Sequence, residues 1–244
     1  GATDTTTIDV AAGAFTDAVG NDNSAATQFV YNSDLTVPTV AITAAEATDG
    51  DTDNHLTLAL TITLSEAATD FASGDITVSG GAISSFAGSG LTYTATFTPT
   101  ASASSVTTID VAAGTFTDAV GNDNSAAPQF VYYNDQVSPS VTITAAEANN
   151  GETDNDATLA LTFTLSEAAT DFESGDITVS GGVLSNFATP STTVYTATFT
   201  PTAGATATTT IDVGVTFTDA VGNANTAATQ FVYNSDLTAP TVAI

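Results

Sequence analysis

Hydrophobic and polar residues alternate along much of the chain. Leu56, Leu58, Leu60, Ile62 and Leu64 alternate with Thr57, Ala59, Thr61 and Thr63, the spacing of a strand with one buried face and one wet face. Leu91, Tyr93, Ala95 and Phe97 alternate likewise with Thr92, Thr94, Thr96 and Thr98. Threonine is β-branched and suits a pleated outer surface. Turn-forming clusters separate the runs: TDGDTDN at 48–54, SGG at 79–81, GSG at 88–90 and VGNDNS at 120–125. The pattern predicts strands over 38–44, 56–64, 75–79, 82–86, 91–98, 106–116 and 127–133. Leu58, Leu60, Ile62, Phe71, Ile76, Val78, Phe86, Tyr93, Phe97, Ile109, Val111, Phe116 and Phe130 are expected to point inward. Short strands with turns every 8–12 residues describe a β-sandwich, and no capped amphipathic helix interrupts them.

The whole pattern repeats. TIDVAAGAFTDAVGNDNSAATQFVY at 7–31 returns as TIDVAAGTFTDAVGNDNSAAPQFVY at 108–132, and as the shorter TIDVGVTFTDAVGNANTAATQFVY at 210–233. LTLALTITLSEAATDFASGDITVSGG at 56–81 returns as ATLALTFTLSEAATDFESGDITVSGG at 157–182. Pro38, Pro139 and Pro240 stand 101 residues apart, a period of domain size rather than the roughly 20–50 residues of a solenoid. Cutting ahead of the prolines predicts two complete units, 36–136 and 137–237. Residues 1–35 then correspond to the closing strands of a preceding unit and 238–244 to the first strand of a following one, as in a window on a longer tandem array.

SEAATDFxSGDITVSGG, followed by YTATFTPTA and TIDVAAGxFTDAVGNxN, resembles the bacterial immunoglobulin-like repeats of large secreted, RTX-type cell-surface adhesins. The resemblance spans essentially the whole chain. It implies an all-β fold of tandem immunoglobulin-like sandwiches, about 101 residues each, arranged as an extended rod. It further implies an extracellular stalk, rigidified by Ca²⁺ at or near domain junctions, that holds a distal adhesive domain away from the cell.

Composition narrows the functions. The chain has no Lys or Arg, 27 Asp and Glu, one His, and a formal charge of −27. Nucleic-acid binding needs cationic side chains to replace counterions, and anionic lipid headgroups would repel such a surface. Without Cys, disulfides and thiolate metal sites are excluded. No apolar run approaches the roughly 18 residues of a membrane helix, so no membrane insertion is expected in this segment. At 42% hydrophobic, with 13 Phe and 6 Tyr, the chain can nevertheless build cores. His55, the single histidine, is replaced by Asp156 one period later, and no triad or His-based zinc site can be built from it. No enzyme is expected.

The carboxylates are the remaining chemistry. Sandwich topology puts loop 48–54 at one pole and segments 65–70 and 117–125 at the other. Each junction then gathers a linker acid with acids of the next unit. The expected clusters are Asp34 with Glu66, Asp70, Asp118 and Asn122, and Asp135 with Glu167, Asp171, Asp219 and Asn223. Asp49, Asp51 and Asp53 in the first-pole loop are weaker candidates, and Asp123 is weaker still because Ala224 replaces it. These residues offer only hard oxygen donors, the ligand set of Ca²⁺. The D-x-D-x-D run from Asp49 is not an EF-hand, since Asn54 and Leu60 stand where Gly and Glu are required. For any single acid, simple solvation of an aggregation-resistant surface is the alternative. The predicted partners are neighbouring repeats of the same chain, with lateral self-association through bridging cations. A self-assembling filament or sheath subunit and a glycan- or surface-binding adhesive module are the competing functions.

Overall fold

The computed structural model describes residues 3–101, 104–203 and 206–243, so Gly1, Ala2 and Ile244 of the expected terminal segments lie outside the described residues. The chain divides into two compact units, the first formed chiefly by residues up to Asn134 and the second chiefly by those from Asp135 onward.

The first unit opens with an antiparallel ribbon of β1 (Thr3–Ile8) and β2 (Phe29–Asp34), paired from Thr3↔Asp34 to Ile8↔Phe29. The first repeat follows as β3 (Val40–Ala44), β4 (Thr52–Asp53), β5 (Leu58–Leu64), β6 (Ile76–Ser79), β7 (Gly81–Ser89), β8 (Thr92–Pro99), β9 (Ser104–Val111) and β10 (Phe130–Asp135). They form two four-stranded sheets of order β3-β5-β8-β7 and β4-β10-β9-β6. The alternation of β5 is realised directly: Leu58, Leu60, Ile62 and Leu64 are buried, while Ala59, Thr61 and Thr63 lie nearer solvent. Both sheets contribute to one core. At its centre the Phe71 ring meets Tyr93 at 4.9 Å and Phe116 at 5.0 Å, edge to face, the geometry the ring quadrupole favours.

The second unit repeats the plan with β11 (Val141–Ala145), β12 (Thr153–Asp154), β13 (Leu159–Leu165), β14 (Ile177–Ser180), β15 (Gly182–Ala188), β16 (Val194–Pro201), β17 (Thr206–Val213) and β18 (Phe231–Asp236). Its sheets run β11-β13-β16-β15 and β12-β18-β17-β14. Its core is the counterpart of the first, with Phe172 in the place of Phe71.

Several expectations need correction. Leu56 and Leu91 are exposed, because Leu56 precedes β5 and Leu91 lies in the turn before β8. Val78 and Phe86 do face the core as expected, packing against it partly buried. Tyr132, absent from the predicted inward set, is fully buried. The strand expected over 106–116 ends at Val111; beyond it the Asn124 side chain accepts from Thr115 N–H and Phe116 N–H and draws the backbone out of the ladder. The predicted turn at 48–54 contains the short strand β4. Residues 238–243 carry no strand. The matching β3 and β11 owe theirs to pairing with β5 and β13, and no described strand pairs with 238–243.

Candidate metal centre

The loop after β9 builds the first side of the site. Asp118 Oδ1 accepts from Val120, Gly121 and Asn122 N–H at 2.8–2.9 Å, and its Oδ2 accepts from Asn122 Nδ2 at 2.8 Å. Burial raises the Asp118 pKa, but these donors outweigh it and hold the carboxyl below its ordinary value. Asp17 and Asp219 form the same loop with Asn21 and Asn223. Short polar side chains that bond the backbone just ahead of them favour such turns, so this conformation is local in origin.

The second side is the segment leaving β5. Ser65 N–H donates to Thr39 O and Ser65 Oγ accepts from Thr39 N–H, and a bridge pairs Ala68 with Asp118. Glu66 is thereby held beside Asp118, and both are buried. The third member, Asp34, ends β2; its carbonyl accepts from Asn122 Nδ2 at 3.1 Å. The three carboxylates each bring an oxygen within 4.8 Å of the other two. An open pocket of about 310 Å³ lies over them, lined also by Ser65, Leu91 and Val120.

The arrangement recurs in the second unit. Asp135, Glu167 and Asp219 bring oxygens within the same 4.8 Å, Asn223 Nδ2 donates to Asp135 O at 2.9 Å, and Ala169 bridges Asp219. Glu167 Oε1 is enclosed and receives no hydrogen bond from the described residues. Desolvation, reinforced by the charges of Asp135 and Asp219, pushes the Glu167 pKa above its ordinary value.

This donor set fits Ca²⁺. Oxygens sharing one ion at about 2.4 Å lie no more than about 4.8 Å apart, and carboxylates are its preferred ligands. Other oxygens of the six to eight required would come from backbone and water.

The remaining predicted ligands lie outside these two carboxylate groups and make the following hydrogen bonds. Asn122 and Asn223 point their amide N–H groups at the acids, which makes them positioning residues. Asp70 and Asp171 accept from Thr117 and Thr218 N–H. Asp49 accepts from Val131 N–H, Asp51 from Thr48 N–H and Asp53 from Asn54 N–H, each at 2.7 Å. None of these three belongs to a carboxylate group found among the described residues. Neutral Asn150 replaces Asp49 one period later and accepts the same bond from Val232 N–H. That position therefore needs an acceptor rather than a charge, which explains why the D-x-D-x-D spacing is not kept. Asn124 and Asn225 escaped notice although both are buried. Asn23, Asn124 and Asn225 are the same residue in all three copies, whereas the preceding position varies as Asp22, Asp123 and Ala224, and this contrast was the available signal.

Among the described residues no helix is long and apolar enough to cross a membrane. No curated protein matches the chain. A family profile described as bacterial Ig-like domain matches twice in tandem, over residues 34–133 and 135–235. Such domains are typically structural modules rather than catalysts. The tandem match, the two-sheet architecture and the 101-residue period agree, and the chain belongs to the bacterial Ig-like domain family.

Proposed function

We propose that this chain is a run of structural spacer repeats from an extracellular, adhesin-type surface protein, with one Ca²⁺ bound at the entry to each complete repeat. The observation that carries the reading is the recurrence of one carboxylate triad, Asp34/Glu66/Asp118 and Asp135/Glu167/Asp219. In both, the acid that closes the strand leading into a repeat lies beside two acids of that repeat. No Lys or Arg is available to neutralise them. A dication bound there cancels the repulsion and fastens the entry segment to the body of its repeat. Near-identical tandem modules suit spacing better than selective recognition, and a surface without cationic groups suits a calcium-replete exterior.

Calorimetric titration of Ca²⁺ at about 150 mM NaCl, where the Debye length is about 8 Å and diffuse attraction is screened, tests this reading. Two ions should bind per chain. Glu66→Gln should abolish one site and Glu167→Gln the other, with the far-ultraviolet circular dichroism of both variants unchanged. Absence of binding, or binding untouched by both substitutions, refutes the assignment.

A further inference from the structure

The turn that enters β12 carries the only asparagine–glycine pair in the sequence, Asn150–Gly151. Both residues are exposed to water. Such a pair can react with itself: with no side chain on the glycine, its main-chain nitrogen can reach the carboxamide carbon of the asparagine. In this fold the two reacting groups are engaged elsewhere. Val232 of β18 donates its N–H to Asn150 Oδ1 at 2.8 Å, Asn150 Nδ2 donates to Gln230 O at 3.1 Å, and Gly151 N–H donates to Val232 O at 2.7 Å. Glu152 braces the turn. Its Oε2 accepts from the N–H and Nδ2 of Asn149 at 2.7 and 2.9 Å, and its carbonyl accepts from Asn234 N–H.

The first repeat builds the same turn with an acid. Asp49 Oδ1 accepts from Val131 N–H at 2.7 Å, and Gly50 N–H donates to Val131 O at 2.8 Å. The glycine φ is 89° at Gly50 and 85° at Gly151. We infer that Asn150 is a self-modification site, where loss of ammonia through a succinimide adds a negative charge to the second repeat, and that β18 holds it unreactive until the turn opens. Gly151 N gives its proton to water and bonds to Asn150 Cγ, and Nδ2 leaves as ammonia. One water then hydrolyses the ring. Breaking the new N–Cγ bond leaves aspartate; breaking the bond from Gly151 N to the Asn150 carbonyl carbon leaves isoaspartate. The net change is amide and water to acid and ammonia. In the closed turn the attacking nitrogen keeps its proton on Val232 O and the carboxamide is tied at both its oxygen and its nitrogen, so reaction waits on local opening. The aspartate product recloses as Asp49 does. Isoaspartate puts an extra methylene into the main chain ahead of Gly151 and cannot restore both bonds to Val232.

The test incubates the full chain at mildly alkaline pH, in buffer and in concentrated urea. Mass spectrometry of peptic fragments follows each asparagine, trypsin having no Lys or Arg to cut at. In urea Asn150 should be the first asparagine to convert, giving both isomers. In the folded chain it should convert more slowly by about tenfold or more, in proportion to the open fraction of the turn. Glu152→Ala removes the brace and should raise the folded rate several-fold with circular dichroism unchanged, whereas Glu152→Gln, which keeps an acceptor, should stay near the parent rate. Asn150→Asp reproduces the aspartate product and should leave the Val232 amide as slow to exchange as in the parent. Equal rates in buffer and urea, another asparagine converting first in urea, or a folded rate indifferent to Glu152→Ala overturns the proposal. A Val232 amide set free in Asn150→Asp overturns the reclosing of the turn.

Discussion

Glu167 shows what the fold does to a single carboxylate. Its neighbours Asp135 and Asp219 share its charge, one of its oxygens is enclosed, and its pKa is raised. A group whose folded pKa exceeds its unfolded value favours the folded state while protonated, and that stability is lost as pH rises through the shifted pKa. Without metal, the ionised side chain therefore works against the second repeat at neutral pH. Glu167→Gln is expected to stabilise that repeat in metal-free buffer at pH 7 and to have little effect at pH 4, where the native carboxyl is largely protonated. With saturating Ca²⁺ the proposed function predicts the reverse order, since the variant would lack one of the three carboxylates. Amide exchange at Val213 and Phe231 as a function of denaturant reports on this repeat alone; a variant less stable than the parent in metal-free buffer at pH 7 counts against the electrostatic account. Asp118 has the opposite sign. Its pKa is lowered by four donors that outweigh burial, so its stabilisation is present above the ordinary carboxylate range and is lost as pH falls through the lowered value.

At the scale of elements, the turn between β6 and β7 is a position with little tolerance, as is its counterpart at Gly181 and Gly182. Gly80 sits at a φ of 70°, where side chains are strained, and the next residue meets the facing strand. A Cβ on Gly81 would lie 2.4 Å from Thr98 O and 2.6 Å from the Phe97 ring, and neither can retreat from a packed sheet and core. Gly81→Ala should cost the first repeat about 1–3 kcal/mol, the usual range for overpacking, read as a lower denaturation midpoint with an unchanged slope. Gly74→Ala, with nothing within 4 Å of its added methyl, should be nearly neutral. Equal effects would show that the close approach of β7 to β8 is not the cause. The strands themselves are legible in the sequence because burial of one face imposes a period of two, and β5 and β8 follow it residue by residue. The limits of that signal are local. Alternation does not tell the buried Leu58 from the exposed Leu56, since both fall on the same phase and only the start of pairing with β8 separates them. The triads were legible from chain order and topology, which bring a linker acid to the segment after β5 and the loop after β9. The division of labour inside them was not. Asp49, Asp51, Asp118 and Asn122 look alike as oxygen donors, and only the direction of each hydrogen bond separates turn acceptors and positioning amides from candidate ligands.

For the whole molecule, the dominant fact is an anionic surface with no Lys or Arg. In most proteins surface charges of both signs largely cancel, and added salt has a small net effect on stability. Here every long-range pair of acids is repulsive, and compaction brings them closer than in the unfolded chain. Screening should therefore favour the folded state. Raising NaCl from about 10 mM to about 1 M shortens the Debye length from about 30 Å to about 3 Å, and the melting temperature of the metal-free protein should rise steadily across that range in both repeats. On the proposed assignment Ca²⁺ should add a separate, saturable increment at concentrations too low to change ionic strength, because each triad gathers three carboxylate oxygens within 4.8 Å of one another and monovalent ions act mainly as a diffuse atmosphere. Differential scanning calorimetry of the metal-free chain, with NaCl and CaCl₂ compared at matched ionic strength, separates the two effects. A flat response to NaCl would mean that self-repulsion is not a significant part of the energetics. Equal responses to the two salts would mean that Ca²⁺ acts only by screening, and that the triads are ordinary solvated acids of a spacer.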